Sequence, residues 1–333
     1  MTDADLAGSL AAYLAPRIGA GTVAIEGLER LPGGASRETW AFEAVPESGA
    51  RLRLVLRRDP RGHQVQSSRR EEFALLTAAR AAGVPVPEVR WCEEDAGVLG
   101  APFLVMEFVA GETLARRLLR DAEYAPARRA LPAELARALA RIHAMDAASL
   151  PFLVRPPEGE SPAAVELARY EQIYRAITPD PHPALELALR WLGRRPPMPA
   201  RLAVVHGDFR IGNVIFGPEG LRAVLDWELA HLGDPLEDVG WLCVRSWRFG
   251  AELPVGGLCG REDFCAAYER AGGPRPDAAA VGWWEVFGNL KWAIICIMQA
   301  KTFLDGGVRS VELASLGRRV AEMELELLEL TEG

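Results

Sequence analysis

The sequence predicts an α+β fold in two lobes: a small N-terminal lobe, residues 1–108, around a five-stranded antiparallel sheet, and a larger helical lobe, residues 109–333. Three observations predict it. Strand-like segments crowd into the first third of the chain, and RLRLVLRR at residues 51–58 alternates strictly. From residue 112 onward apolar residues recur at helical spacing instead. Among those helices, residues 204–241 read VVHGDFRIGNVIFGPEGLRAVLDWELAHLGDPLEDVGW, in which short apolar runs end in carboxylates.

In chain order, residues 4–15 read as an amphipathic helix and 22–31 as a first strand. Pro32-Gly33-Gly34-Ala35-Ser36 then turns the chain into a second strand at 38–45, so these glycines join two strands. A dinucleotide or P-loop glycine motif opens a helix instead, and neither string occurs here. In the third strand Leu52, Leu54 and Leu56 share one face and Arg53, Val55 and Arg57 the other, with Arg58 expected in solvent. A helix at 66–82 stops at Gly83 and the rigid GVPVP string; its buried stripe holds Leu75, Leu76, Ala79 and also Glu72, while Glu71 should be exposed. Strands at 88–93 and 102–108 complete the sheet.

Helices follow at 112–120 and 132–145, then at 162–176 and 183–192 after a connection rich in proline and glycine. Beyond the polar stretch, Gly233-Asp234-Pro235 and Asp238 begin a helix that runs through Trp247. Long helices close the chain at 278–304 and 310–330, the last with Glu322, Glu324, Glu326 and Glu329 read as a solvated face.

Composition narrows the function. With 49% hydrophobic residues in 333 the chain can bury a sizeable core. A net charge of −8 argues against nucleic acid or an anionic membrane as the main partner, because both call for basic patches. Cys92, Cys243, Cys259, Cys265 and Cys296 are odd in number and form no C-x-x-C pair, so reduced thiols in the cytoplasm are expected. The first residues are acidic and lack an apolar leader, and no apolar run nears the ~20 residues of a bilayer span, so neither export nor a membrane is expected.

The chemistry concentrates in HGDFRIGN and LDWE. The turn Gly217-Pro218-Glu219-Gly220 makes the flanking runs a β-hairpin, and a turn centred there sets Asn213 opposite Asp226 to within one residue. Asp208 lies in the loop leading in. Any one of these residues alone would read as a turn former or a cap. Together they suit phosphoryl transfer: a carboxylate orients the attacking hydroxyl and takes its proton, while Mg²⁺ takes oxygen ligands and keeps phosphate and water in its shell. His206 is expected to hydrogen-bond the loop backbone, and Asp238 to cap its helix or brace the loop.

These strings, with five residues from Asp208 to Asn213 and eighteen from Asp208 to Asp226, resemble the aminoglycoside phosphotransferase and choline kinase family, distant relatives of protein kinases. The run DWELAHLGDPLEDVGWL is most similar to the branch related to the kinase domains fused to acyl-CoA dehydrogenases. The resemblance implies a protein-kinase-like fold, ATP or GTP as donor, Mg²⁺, Asp208 as catalytic base, and Asn213 and Asp226 as metal ligands. It makes Gly33, Gly34 and Ser36 a phosphate loop, Arg57 the strand cation that reaches the phosphates, Val55 a wall of the base pocket and Glu72 the partner of Arg57. Adenine would bond the main chain of a hinge near Glu107 to Val109. The chain departs from the family in having Arg57 where lysine is usual, and from protein kinases in having Gly207 for arginine and Trp227-Glu228 for Phe-Gly. Protein substrates are therefore not expected.

Glu228, two residues past Asp226, stays open between a second metal site, substrate orientation and pairing with a cation. The aromatic C-terminal region, with Lys291, Lys301, Arg245 and Arg248, suggests a hydroxylated small-molecule acceptor with an apolar or anionic part, because a polycation would want carboxylates instead. His231 reads as surface. Three alternatives remain: a nucleotide-binding protein without catalysis, an aminoglycoside kinase proper, and a metal hydrolase built on the same carboxylates.

Overall fold

The computed structural model describes residues 2–31, 38–59, 68–178, 180–307 and 310–332. By its internal contacts the chain divides into two compact units, Met1–Gly111 with Arg222–Glu228, and Glu112–Leu221 with Leu229–Gly333.

In the first unit, helix α1 (Asp3–Ile18) begins at a Thr2/Asp5 capping box and ends on Gly19 in the left-handed conformation. Strands β1 (Val23–Arg30), β2 (Glu38–Pro46), β3 (Leu52–Arg58), β4 (Val89–Glu93) and β5 (Phe103–Glu107) form one sheet in the order β1-β2-β3-β5-β4. All its pairings are antiparallel, as the sequence predicts. Leu6, Leu10, Tyr13 and Leu14 of α1 pack on Trp40, Phe42, Leu54, Leu56, Phe103 and Val105. That packing fixes which face of β3 is buried. The register then sets Arg57 opposite Thr39 and Leu104, and Val55 opposite Ala41 and Met106.

Helix α2 (Arg69–Ala81) starts later than expected, where Ser68 and Glu71 form a capping box; the predicted first turn lies outside the described residues. Glu71 is thus half-buried at a cap, while Leu75, Leu76 and Ala79 are buried as the stripe requires, and Glu72 with them. Arg58 corrects an expectation. It is buried, donates to the Leu99 carbonyl at 2.9 Å and pairs with Glu38, because β2 and the short helix α3 (Ala96–Leu99) cover that side of the strand.

The second unit holds α4 (Ala115–Arg120), α5 (Ala125–His143), α6 (Pro162–Ile177), α7 (Pro183–Leu192), the paired short strands β6 (Ala203–Val205) and β9 (His231–Gly233), α8 (Leu236–Leu242), α9 (Arg261–Arg270), α10 (Ala278–Leu304), α11 (Val311–Leu316) and α12 (Val320–Thr331). Strands β7 (Val214–Gly217) and β8 (Gly220–Val224) form the predicted hairpin, whose second strand spans the division between the units. Helix α5 begins seven residues before the expected Pro132, which sits inside it. The lost N–H and the ring clash of an internal proline cost about 3 kcal/mol, and burial of Ala127, Leu131, Leu135 and Leu139 on either side offsets that.

Helices α8 and α10 approach at backbone distance. A Cβ on Gly240 would stand 2.4 Å from the Trp284 Cβ, and one on Gly288 2.6 Å from a Val244 methyl. The last helix carries a second correction: Glu326 is buried and pairs with Arg245 and Arg248. Among the described residues no helix is long and apolar enough to cross a membrane.

Candidate active site

The loop that follows β6 leaves a fully buried strand, which carries His206 into the interior with no exposed surface. Gly207 comes next at φ +80°, where a Cβ would lie 2.5 Å from the Leu229 carbonyl oxygen. Only glycine fits there, which accounts for its standing where protein kinases have arginine.

Asp238, buried in the first turn of α8, braces this loop as expected. Its carboxylate accepts the N–H groups of His206 at 2.8 Å and Gly207 at 2.9 Å, and His143 Nε2 at 3.1 Å. Burial pushes the Asp238 carboxyl up, but the His143 hydrogen bond and charge and the His206 N–H outweigh it and hold the pKa below the ordinary aspartate value. An ionised Asp238 only accepts, so His143 Nε2 carries a proton and its Nδ1 faces the Tyr268 hydroxyl at 2.6 Å.

With the backbone fixed, the Asp208 carboxylate is set by three side chains. Trp241 Nε1 donates to Oδ1 at 2.7 Å, Asn213 Nδ2 to Oδ2 at 2.6 Å, and Arg210 Nε to both oxygens at 3.1 and 3.3 Å. Asn213 Nδ2 also donates to the Asp208 carbonyl at 3.0 Å, through a single turn of 3₁₀ helix over Ile211–Asn213. His206 Nδ1 accepts the Asp208 N–H at 3.3 Å, the backbone role expected of it. Asp208 and Asn213 are therefore brought together.

Two of these partners were not legible in the sequence. Trp241 lies 33 residues beyond Asp208 in the chain, and Arg210 carries no role in the sequence although it stands two residues past Asp208. Lys291 was misread. It is 2% exposed, donates to the Gly207 carbonyl at 3.2 Å, pairs with Glu237 at 3.4 Å and lies 4.7 Å from the Trp241 ring centroid. Burial pulls the Lys291 ammonium down, but Tyr170 and the carboxylates of Glu237, Glu166 and Asp208 hold its pKa above the usual lysine value. Arg248 is likewise withdrawn into buried pairs with Glu285 and Glu326. His231, expected at the surface, is half-buried and 3.1 Å from Glu237. Burial would lower its pKa, yet the charge and hydrogen bond of Glu237 dominate and raise it to about 9.

In the first unit Arg57 and Glu72 form the predicted ion pair. Glu72 also pairs with Arg69, whose Nε lies 3.1 Å from Asp59, and all but Arg57 are buried. Val55 is half-buried one pleat away. The Glu107 N–H donates to the Glu88 carbonyl and the Phe108 N–H to the Arg53 carbonyl, so within the predicted hinge both are already bonded and Val109 follows. Asp226 is half-buried at φ +66°, a left-handed conformation that short polar side chains tolerate best after glycine. Trp227 is buried against the Val224 carbonyl, and Glu228 is half-buried. Gly33, Gly34 and Ser36 lie outside the described residues.

The amide of Asn213 has the chemistry that suits Mg²⁺, a ligand oxygen. A carboxylate only accepts, so the Asn213 amide must turn its NH₂ toward Asp208, which leaves Oδ1 as the atom free to ligate. Asp226, in the first unit, carries a charged oxygen of the kind Mg²⁺ takes, an ion that relies on phosphate and water for most of its shell.

The model of the APH phosphotransferase enzyme family matches residues 27–283. The chain belongs to that family. It is 38% identical over 197 residues to acyl-CoA dehydrogenase family member 10 of Mus musculus, covering 57% of this chain and 18% of that protein. To member 11 of Rattus norvegicus it is 31% identical over 246 residues, covering 70% and 30%. The chain thus spans under a third of the length of these relatives. Among solved structures, a Ralstonia eutropha protein provisionally named an aminoglycoside phosphotransferase shares the fold at a TM-score of 0.76 and 24% identity over 98% of both chains. Aminoglycoside 2′-phosphotransferase-IIIa in complex with GDP follows at 0.62 and 15%, covering 97% of each chain. The APH family fold, a kinase-like one, is therefore established here.

Proposed function

We propose that this APH-family protein transfers the γ-phosphoryl group of ATP or GTP to a hydroxyl of a small molecule in the presence of Mg²⁺, with Asp208 as the base. One observation carries the reading. An aspartate that caps a helix or closes a turn gives its oxygens to backbone N–H groups just beyond it. Both oxygens of Asp208 are instead held by side chains two, five and thirty-three residues on. Such a carboxylate keeps one orientation, which is what taking a proton from a positioned hydroxyl requires.

The remaining roles follow from the chemistry of each group. Asn213 Oδ1 and Asp226 would hold Mg²⁺, with Glu228 as an additional candidate. The ion's contribution, when bound, is to offset charge on the phosphate oxygens. Arg57, fixed by Glu72, presents a fork that suits phosphate, Val55 packs on the base, and the Val109 N–H together with the Glu107 carbonyl bond its edge. Gly33 and Gly34 would let backbone N–H groups approach phosphate without a Cβ in the way, with Ser36 in the same phosphate loop. Residues 1–108 would thus form the nucleotide-binding lobe and 109–333 the catalytic and acceptor lobe of a cytoplasmic enzyme. Solved relatives bound to GDP, and to AMP-PNP with hygromycin B, support nucleotide as the donor.

Lys291 and Arg248 are tied up in buried pairs, so a pocket formed from them is withdrawn, while the aromatic part stands. The test is single-turnover transfer from labelled ATP into a small-metabolite mixture by the native chain and by Asp208→Asn. The expected loss is about 10²-fold or more; an unchanged rate removes Asp208 from the role.

A further inference from the structure

Arg210 makes a poor structural residue where it stands. Its Nε is tethered to both oxygens of Asp208, and its Cζ lies 4.6 Å from the centroid of the Trp247 ring. A Cβ on Gly212 would fall 2.3 Å from its Nη1, so the guanidinium lies directly against Gly212. Trp247 is itself 4% exposed and wedged between Trp241 and Trp292, at 5.3 and 4.8 Å between ring centroids. Tether and platform hold the Nε side and one face of the guanidinium, and Gly212 leaves room beside Nη1. The outer edge is different: the four N–H groups of Nη1 and Nη2 have no hydrogen-bond partner among the described residues, and the side chain keeps 24% of its surface exposed.

Arg210 sets a full positive charge against Asp208. Orienting Asp208 does not need that charge, since Trp241 and Asn213 already hold it with neutral donors. The charge becomes useful when a second anion must sit beside the carboxylate, where like charges would otherwise repel. A rigid guanidinium with its two-nitrogen edge open is the geometry that binds paired oxygens bidentately.

We infer that Arg210 is an oxyanion-binding residue beside Asp208, taking two oxygens of a phosphoryl or a carboxylate group on the open edge of its guanidinium. The oxygens belong either to the phosphoryl group in transfer or to an acid group on the acceptor. The catalytic meaning rests on the phosphotransfer reading; the binding does not, and its test needs no turnover.

The probes are inorganic phosphate and butyrate, followed through the indole N–H resonance of Trp247, which its absence in Trp247→Phe identifies. Phosphate is expected to shift that resonance saturably in the native chain and in Asp208→Asn, the latter whether or not Asp208 proves to be the base. Arg210→Gln should weaken the response tenfold or more. Arg210→Lys should weaken it less, since an ammonium keeps the charge without the fork. A response to phosphate alone assigns the site to the phosphoryl group, and competition by butyrate assigns it to an acid group on the acceptor. No saturation by either probe, or equal affinity in the native chain and both Arg210 variants, overturns the inference.

Discussion

Lys291 donates to the carbonyl oxygen of Gly207 at 3.2 Å from a site with 2% of its surface exposed. The same ammonium lies over the Trp241 ring and pairs with Glu237. It therefore grips the residue before Asp208 and one of the donors that orient Asp208. Lys291→Met strands the Glu237 carboxylate with His231 alone, and losing one partner of a buried pair costs about 3–5 kcal/mol. Lys291→Met with Glu237→Gln should cost less than the single change, because no uncompensated charge remains. Urea unfolding of the three proteins checks the order.

Asp238 acts one step further back. The His206 and Gly207 N–H groups donate to different oxygens of Asp238, so Asp238→Asn sets an NH₂ against one of them and loosens the loop. A shift of about 1 Å in a catalytic group can cost about 10²-fold, so phosphoryl transfer should fall by about that factor. Nucleotide affinity, measured by the thermal shift ATP produces, should stay near native.

What the sequence disclosed and what it hid divide along a physical line. Asp208 and Asn213 were legible because chain proximity and chemistry coincide: both lie in one loop whose length sets their approach. Arg57 and Glu72 were legible because strand alternation and helix periodicity each choose a face. Lys291 was not, since its partner Gly207 is 84 residues away and depends on how closely α10 packs on α8. Gly240 and Gly288 make that approach possible, yet a glycine within a helical pattern announces nothing about what it faces. Strand β9 was missed for another reason: three residues are too few to show alternation.

Glu72 gives a prediction that separates packing from binding. Its carboxylate pairs with both Arg57 and Arg69, and the Arg69 side chain has no exposed surface. Glu72→Ala leaves two cations short of a partner, with an expected cost of about 3–5 kcal/mol. Arg57→Lys should fold normally, because Arg69 still compensates Glu72. Its loss should appear in nucleotide affinity instead, at about tenfold, the weight of one charge-assisted hydrogen bond of about 1.5 kcal/mol. Nucleotide titrations beside thermal unfolding would reveal the contrast, and a destabilised Arg57→Lys would contradict it.

His231 supplies a pH dependence whose sign is fixed by its surroundings. Burial would depress its pKa, but Glu237, Glu166 and the Leu229 carbonyl raise it from 6.5 to about 9, with Lys291 facing the same Glu237. Because the folded value lies above the unfolded one, the pair's contribution is complete below about pH 6.5 and is lost as the pH rises through about 9. At roughly 1.4 kcal/mol per pH unit the full contribution is on the order of 3 kcal/mol. Glu237 is displaced downward by His231 and Lys291 against the upward push of burial, so its own contribution is lost only as the pH falls below the ordinary carboxylate range. His231→Gln keeps a donor for Glu237 but removes the charge. The stability difference between the native chain and this variant should therefore be largest near pH 6 and shrink toward zero by pH 10, where Gln and neutral His are alike. A difference constant across that range would mean that the Glu237 pairing contributes packing rather than charge.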